Sequence, residues 1–244
     1  MNKRYAYFLR EATRKLRDAE FGVPLSSDFE HDHFDTEYWE WESDDKYNRV
    51  LRLKPGKTPA EAIDALFARL NAWQIDCDHT VQIANLYAAR MTYGAALFNH
   101  RQGLTMKLRP RESSGLTTRL HYGRAGLAEP WRIVHDFLPP NSFVFAAGPP
   151  LPATTEALVA QAPPGSRVRW TNLAAPESSA FRHENAVKLG ADVYAAAGID
   201  DPLTGNEFTR DALEIRLALM TKERPSRDDI RRTIYIDEVE VFDQ

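Results

Sequence analysis

One cysteine occurs in 244 residues, and its surroundings set the first chemical question. Cys77 lies in Trp73-Gln74-Ile75-Asp76-Cys77-Asp78-His79-Thr80, directly ahead of an apolar run with helical spacing. A cysteine at a helix N-terminus faces unpaired backbone N–H groups and the positive end of the helix dipole, and both favour thiolate over thiol. That environment suits a nucleophile whose base arrives from a strand distant in sequence. Two observations weigh against it. A lone cysteine is a common small core residue, and the carboxylates of Asp76 and Asp78 disfavour a neighbouring thiolate. His79, two residues on, is placed for solvent or a local hydrogen bond rather than for proton transfer.

Other groupings carry less chemistry. His31, Asp32, His33 and Asp35 are ligand types, but alternation would put Asp32 on the other side from His31 and His33, so no metal is expected there. Arg227, Arg231 and Arg232 read as a solvated charged face, with an acidic partner as the alternative. A single cysteine excludes an internal disulfide and a cysteine-based zinc site. With 31 basic and 35 acidic residues the formal charge is −4, which gives no reason to expect nucleic-acid binding. No stretch reaches the roughly 20 apolar residues of a membrane span. Met1 to Arg10 lacks the apolar stretch of a signal peptide, so a cytoplasmic protein is expected, with signal-less export left open.

The elements that must position Cys77 are read from periodicity. Tyr5, Phe8, Leu9, Ala12 and Leu16 predict an amphipathic first helix ending near Gly22. Residues 28–45 alternate acids with aromatics, which suggests an extended segment docking its rings on the body, or a lid over the site. Tyr47 to Leu53 is strand-like, with a turn at Pro55-Gly56-Lys57. Thr58 and Glu61 with Pro59 open a helix whose face is Ile63, Leu66, Phe67 and Leu70. From Cys77 a second helix follows with Ile83, Ala84, Tyr87, Ala88 and Met91 turned to a core.

Lys107 to Arg124 reads as loop or edge structure. Phe143 to Ala146 is a strand candidate, and a Pro/Ala-rich connection runs from Gly148 to Gly165. Strands are predicted at Ser166–Trp170, His183–Leu189 and Asp192–Ala196, with Gly190 in a tight turn between the last two. Thr209–Met220 reads as a helix. Thr233–Phe242 is a final strand whose apolar phase switches near Asp237-Glu238, predicting a bulge. With no internal repeat and no linker, residues 1–244 are expected to form one domain, 1–45 wrapping the core. The class is α+β, helices followed by mostly antiparallel strands.

Several of these stretches resemble, in order, the bacterial spore-coat transglutaminases. They are Tyr38-Trp39, Arg52 to Phe67 with its Pro-containing helix start, and Asp76-Cys77 opening an apolar helix. Downstream come Leu138-Pro139-Pro140-Asn141 with Phe143-Val144-Phe145, and Glu184-Asn185-Ala186-Val187-Lys188-Leu189-Gly190. The resemblance runs from Tyr38 to Leu219. It implies a papain-like, NlpC-type fold that transfers the acyl group of a glutamine side chain to an amine. It assigns Cys77 as nucleophile, Glu184 as the carboxylate partner on a facing strand, and Asp76 as the acid before the nucleophile. It implies no cofactor, and neither calcium nor a cleaved pro-segment. Its Gly-His-Gly segment is replaced here by Ala195-Ala196-Ala197, so the histidine that would complete a Cys-His site is missing.

On that reading Cys77 attacks the carboxamide carbon, ammonia leaves, and a lysine amine resolves the thioester into an isopeptide bond. Water as acceptor gives deamidation. A carboxylate with ordinary pKa near 4.3 is a poor base for a thiol near 8.5, which predicts slow chemistry for a Cys77–Glu184 dyad. His183 adjoins Glu184, but successive strand residues point to opposite faces, so it cannot simply stand in for the missing histidine unless the backbone bends there. Trp170 and Asn172 are placed to wall an acyl pocket. The partners implied are proteins with accessible glutamine and lysine. Two other readings stand beside this one. One is a cysteine hydrolase of the same fold, a deamidase or cell-wall amidase deployed as an effector or toxin, with an immunity protein as partner. The other is a non-catalytic binding module.

Overall fold

A computed structural model describes residues 3–19, 36–41, 50–73, 77–100, 103–108, 118–123, 132–134, 155–179, 181–196, 198–201, 203–221 and 224–243. Positions 77–79 and the strands between 103 and 134 are described as backbone. The element order is α1 (Lys3–Asp18), β1 (Trp39–Trp41), β2 (Val50–Leu53), α2 (Pro59–Ala68), α3 (Cys77–His100), β3 (Gly103–Leu108), β4 (Thr118–Gly123) and β5 (Arg132–Val134). Then come α4 (Thr155–Gln161), β6 (Arg167–Asn172), β7 (His183–Lys188), β8 (Tyr194–Ala196), β9 (Glu207–Phe208), α5 (Arg210–Leu219), α6 (Arg227–Thr233) and β10 (Ile234–Asp243). The strands form one ten-stranded sheet in the order β1-β2-β5-β4-β3-β10-β6-β7-β8-β9. Every pairing in it is antiparallel. The α+β class is the one expected from the sequence.

Local chemistry accounts for the element ends. Thr58 caps α2 by accepting from the Glu61 amide, and Pro59 occupies the first turn, where a missing N–H costs nothing. Thr209 caps α5 in the same way, and Ser226 with Asp229 closes a full capping box on α6. α3 is interrupted at Gly94, whose φ of 78° and ψ of 163° are non-helical. Only a residue without a β-carbon takes that conformation at little cost.

Helices cover both faces of the sheet. On one face Val187, Leu189 and Ala195 pack with α1, α2 and α3 through Leu9, Ile63, Leu66, Val81, Ile83 and Ala84. On the other, Val168, Trp170, Ala186, Tyr194, Ile234, Ile236 and Val239 pack with α4, α5 and α6 through Leu158, Leu213, Leu217 and Ile230. Alternation along β6 and β7 therefore serves two cores, as a sheet covered on both sides requires.

Several expectations need correction. α1 ends at Asp18, before the predicted Gly22. The basic stretch read as loop or edge contains β4 and the end of β3, each paired on both sides and so interior to the sheet. Its polar composition hid these strands, because pairing is set by backbone register more than by composition. The connection after Gly148 contains α4, and α6 follows α5. The phase switch in the last strand is a bulge, with the β10–β6 register shifting between Ile236 and Glu238. Residues 143–146, read as a strand, lie outside the described residues. So does most of 28–45, but within it Trp39 is buried at the core and Lys57 sits 4.5 Å over the Tyr38 ring.

Lys188 is the exception to the apolar packing on the α5 side. It is buried on β7 and donates to the Val159 and Ala160 carbonyls in the last turn of α4. Helix C-terminal carbonyls are natural acceptors for an ammonium, but burial pulls its pKa below the ordinary lysine value. A lysine whose folded pKa is depressed penalises folding below that pKa, and the penalty is relieved as pH rises toward the unfolded value near 10.4. We expect the melting temperature of wild type to rise relative to that of Lys188→Met between about pH 7 and about pH 10. A difference that stays flat with pH in paired calorimetric scans would show that burial leaves the lysine's pKa at its unfolded value.

Candidate active site

Cys77 is the first residue of α3, as the sequence suggests, so the thiol belongs to the helix end where backbone N–H groups lack intrahelical partners. Asp76 lies outside the described residues. A buried polar side chain ties this helix to the sheet. Asn85 is fully buried. Its Nδ2 donates to the Val81 carbonyl at 2.9 Å and to the Gly165 carbonyl at 3.0 Å, and its Oδ1 accepts from Tyr5 Oη at 2.5 Å.

Gly165 in turn donates its N–H to the Lys188 carbonyl at the end of β7. A β-carbon at Gly165 would sit 2.4 Å from Asn85 Oδ1, and its φ of +97° disfavours any side chain. Three separate segments, α1, α3 and the β6–β7 end, are thus joined through one amide. Asn85 was not singled out in the sequence, although a polar residue between Ala84 and Leu86 on a core-facing helix is a visible signal of a buried bond.

The register of β6 and β7 decides which side chains share the face that α3 packs on. Trp170 pairs with Glu184, Arg169 with Asn185, Val168 with Ala186 and Arg167 with Val187, without a bulge. Val187 belongs to the core shared with α3, and Ala186 and Trp170 to the core shared with α5. Because directly opposed residues share a face, His183 and Asn185 are on the α3 side and Glu184 is on the α5 side beside Trp170. Glu184 is 8% exposed. The structure thus groups Glu184 with Trp170, and it does not place the Glu184 side chain on the face that α3 covers. Alternation fixes which neighbours differ in facing but not which of them faces a given helix.

Trp170 and Asn172 do not wall an open pocket. Trp170 is completely buried, stacks edge-on against Tyr194 at 5.1 Å and donates Nε1 to Glu214 at 3.3 Å. Asn172 is buried and donates to the Leu217 carbonyl and to Thr221. Both tie the sheet to α5. Tyr194, in the same layer, has its phenol pushed up to about 12 by burial, so it stays neutral.

On the α3 side the sheet is polar toward the start of β7. His183 is exposed, and its Nδ1 lies 3.0 Å from Thr171 Oγ1 on β6. Further along, Arg169 meets Asp237 at 3.0 Å and Glu238 at 3.1 Å, and Arg167 meets Glu240 at 2.5 Å in a buried pair. The Ala195-Ala196 pair occupies β8, and Ala197 lies outside the described residues. So do His31, Asp32, His33 and Asp35. Among the described residues no cluster of three or more metal-ligating side chains occurs, and no helix is long and apolar enough to cross a membrane.

The sequence profile for protein-glutamine gamma-glutamyltransferase matches residues 11–203. Among solved structures, a transglutaminase from Geobacillus stearothermophilus without its C-terminal extension superposes with a TM-score of 0.49 and 12% identity. The match covers 100% of this chain and 95% of that one. No curated protein matches by sequence.

The Asn85 bridge is testable through its energetics. Asn85→Ala leaves the Tyr5 hydroxyl and the Gly165 carbonyl buried without that partner, and we expect a loss of about 2–3 kcal/mol in denaturant unfolding. Tyr5→Phe is expected to cost less, and the double variant less than the sum, as groups in one network couple. Additive losses would show that the two bonds are independent.

Proposed function

The chain belongs to the protein-glutamine gamma-glutamyltransferase family, and from that premise we propose that Cys77 performs the acyl transfer through a thioester. The observation that carries the proposal is the position of the chain's one cysteine as the first residue of α3. There the backbone N–H groups and the helix dipole stabilise a thiolate, and they also stabilise the oxyanion that forms when it attacks a carboxamide. The substrate class is the glutamine side chain of a protein, and the resolving nucleophile is a primary amine such as lysine.

The steps balance without a cofactor. Thiolate attack on the carboxamide carbon gives a tetrahedral oxyanion, protonated nitrogen leaves as ammonia, and a thioester remains on Cys77. Amine attack on the thioester makes the isopeptide bond and returns the thiol. A calcium-independent reaction in a papain-like setting is part of this proposal. The role that the resemblance gives Glu184 rests on sequence order, since the register puts that carboxylate on the other face of the sheet. Asp76 raises the cost of the thiolate unless a cation or an imidazole offsets it.

Deamidation is the same chemistry with water as acceptor, and both outcomes are read in one assay. We expect ammonia release from a glutamine-rich protein such as casein, together with incorporation of a tagged primary amine, both abolished in Cys77→Ala. Ammonia without incorporation would identify a deamidase. Undiminished activity in Cys77→Ala would overturn the proposed nucleophile.

A further inference from the structure

An open cleft of about 770 Å³ lies between α1 and the stretch 193–212. We infer that this cleft and the turn beside it form a two-fold self-association surface, whose occupant is a second copy of this chain. None of the residues that build it takes part in the thioester chemistry proposed above.

The surface begins with a protruding side chain. Leu203 is the most exposed large apolar residue among the described residues, at 94%. Its backbone is tightly held. Asp201 and Gly205 exchange two backbone hydrogen bonds of 2.8 Å, and Asp201 Oδ1 accepts from the Leu203 and Thr204 amides at 2.8 and 3.3 Å. The other carboxylate oxygen of Asp201 is paired with Arg216 on α5. A side chain–backbone turn of this kind fixes its own tip, so the leucine is presented to solvent by a built turn.

Beside that tip, Val193, Phe208 and Ala212 give the cleft an apolar wall. From Ala212 the same side of α5 continues through Ile215 and Leu219, three and four residues apart and both exposed. Arg216, which reaches the turn, is on that side too, so Leu203 and the helical stripe are neighbours. A projecting leucine beside an apolar hollow and an apolar stripe is a patch of the kind that marks a contact with another protein.

The charges decide what kind of protein. Most of them satisfy one another, since Glu207 holds Arg10 at 2.6 Å and Arg14 at 3.1 Å, Arg17 holds Asp18 at 2.6 Å, and Asp201 holds Arg216. What stays open has both signs. Arg14 and Arg17 each donate Nε and Nη2 to a carboxylate, which leaves Nη1 of each without a hydrogen bond among the described residues. Asp200 is exposed and has no partner among the described residues. The open cations stand on the α1 wall, and the open carboxylate stands on the wall that carries Leu203.

A small ligand needs polar groups that converge on it. Separated walls of opposite sign instead match a surface that presents the same signs in reverse order. A second copy turned about a two-fold axis through the cleft does so without further requirement. Its Asp200 and Leu203 meet the α1 wall and the apolar hollow of the first copy, and the first copy returns both contacts.

The test is the solution mass of Cys77→Ala, in which self-cross-linking through the proposed thioester cannot mimic association. Light scattering and sedimentation over a range of protein concentrations are expected to show a reversible dimer that dissociates on dilution. Adding Leu203→Glu should raise its dissociation constant by about 30-fold or more. That site is so exposed that the thermal melt of the dilute protein should not change. Asp200→Lys should weaken the dimer several-fold, and pairing it with Arg17→Glu should restore part of the loss. A chain that stays monomeric at every concentration would overturn the inference, as would a Leu203→Glu dimer as tight as the parent. A monomeric wild type whose cross-linking of casein falls in Leu203→Glu would give this face to a protein substrate, and would overturn it too. A dimer formed by wild-type protein that releases no ammonia from casein would support the interface and count against the proposed function alone.

Discussion

The Asn85 side chain is the constraint on which the arrangement depends. The helix that starts at Cys77 is nearly all apolar where it is buried, and apolar packing alone does not fix how far a helix slides along a sheet. One amide makes that choice by bonding to Gly165 on the sheet side and to Tyr5 on α1. Gly165 is bonded in turn to the end of β7. The position of α3 relative to the end of β7 is therefore held by a polar network, and the absence of a β-carbon at Gly165 is what lets them approach.

Around that pin the sheet separates two kinds of work. The α5 side is a dry layer of Trp170, Tyr194, Ile236 and Val239, closed by a tryptophan–glutamate bond and a buried lysine. The α3 side is mixed, with apolar contacts beneath the helix and a charged row of Arg167, Arg169, Asp237, Glu238 and Glu240 across β6 and β10. A bulge between Ile236 and Glu238 lets β10 supply successive acids to that row. Buried ion pairs add little net stability but hold groups in one geometry.

Much of this was legible in the residues. Helix starts at Thr58, Cys77 and Thr209 followed from capping chemistry and from the spacing of apolar side chains, which are local signals. The β10 bulge followed from a phase switch, because a period of two breaks visibly when one residue is inserted. β3 and β4 were misread, since a hairpin interior to a sheet can be polar when long-range partners set its pairing. For the site, the position of Cys77 was readable and the facing of Glu184 was not. Alternation shows that His183 and Glu184 point oppositely, and only the pairing of β6 with β7 and the identity of the helix on each side say which way. Asn85 shows a related gap, because a polar residue on a core face announces a partner without naming it.

The most direct measurement is the mass of the enzyme during turnover. A short glutamine peptide supplied without an amine acceptor should leave a covalent adduct equal to the peptide less one ammonia, and digestion should map it to Cys77. That adduct would be discharged by adding a primary amine and would never form in Cys77→Ala. Ammonia release that proceeds in Cys77→Ala, or an adduct mapped to another residue, would contradict the account.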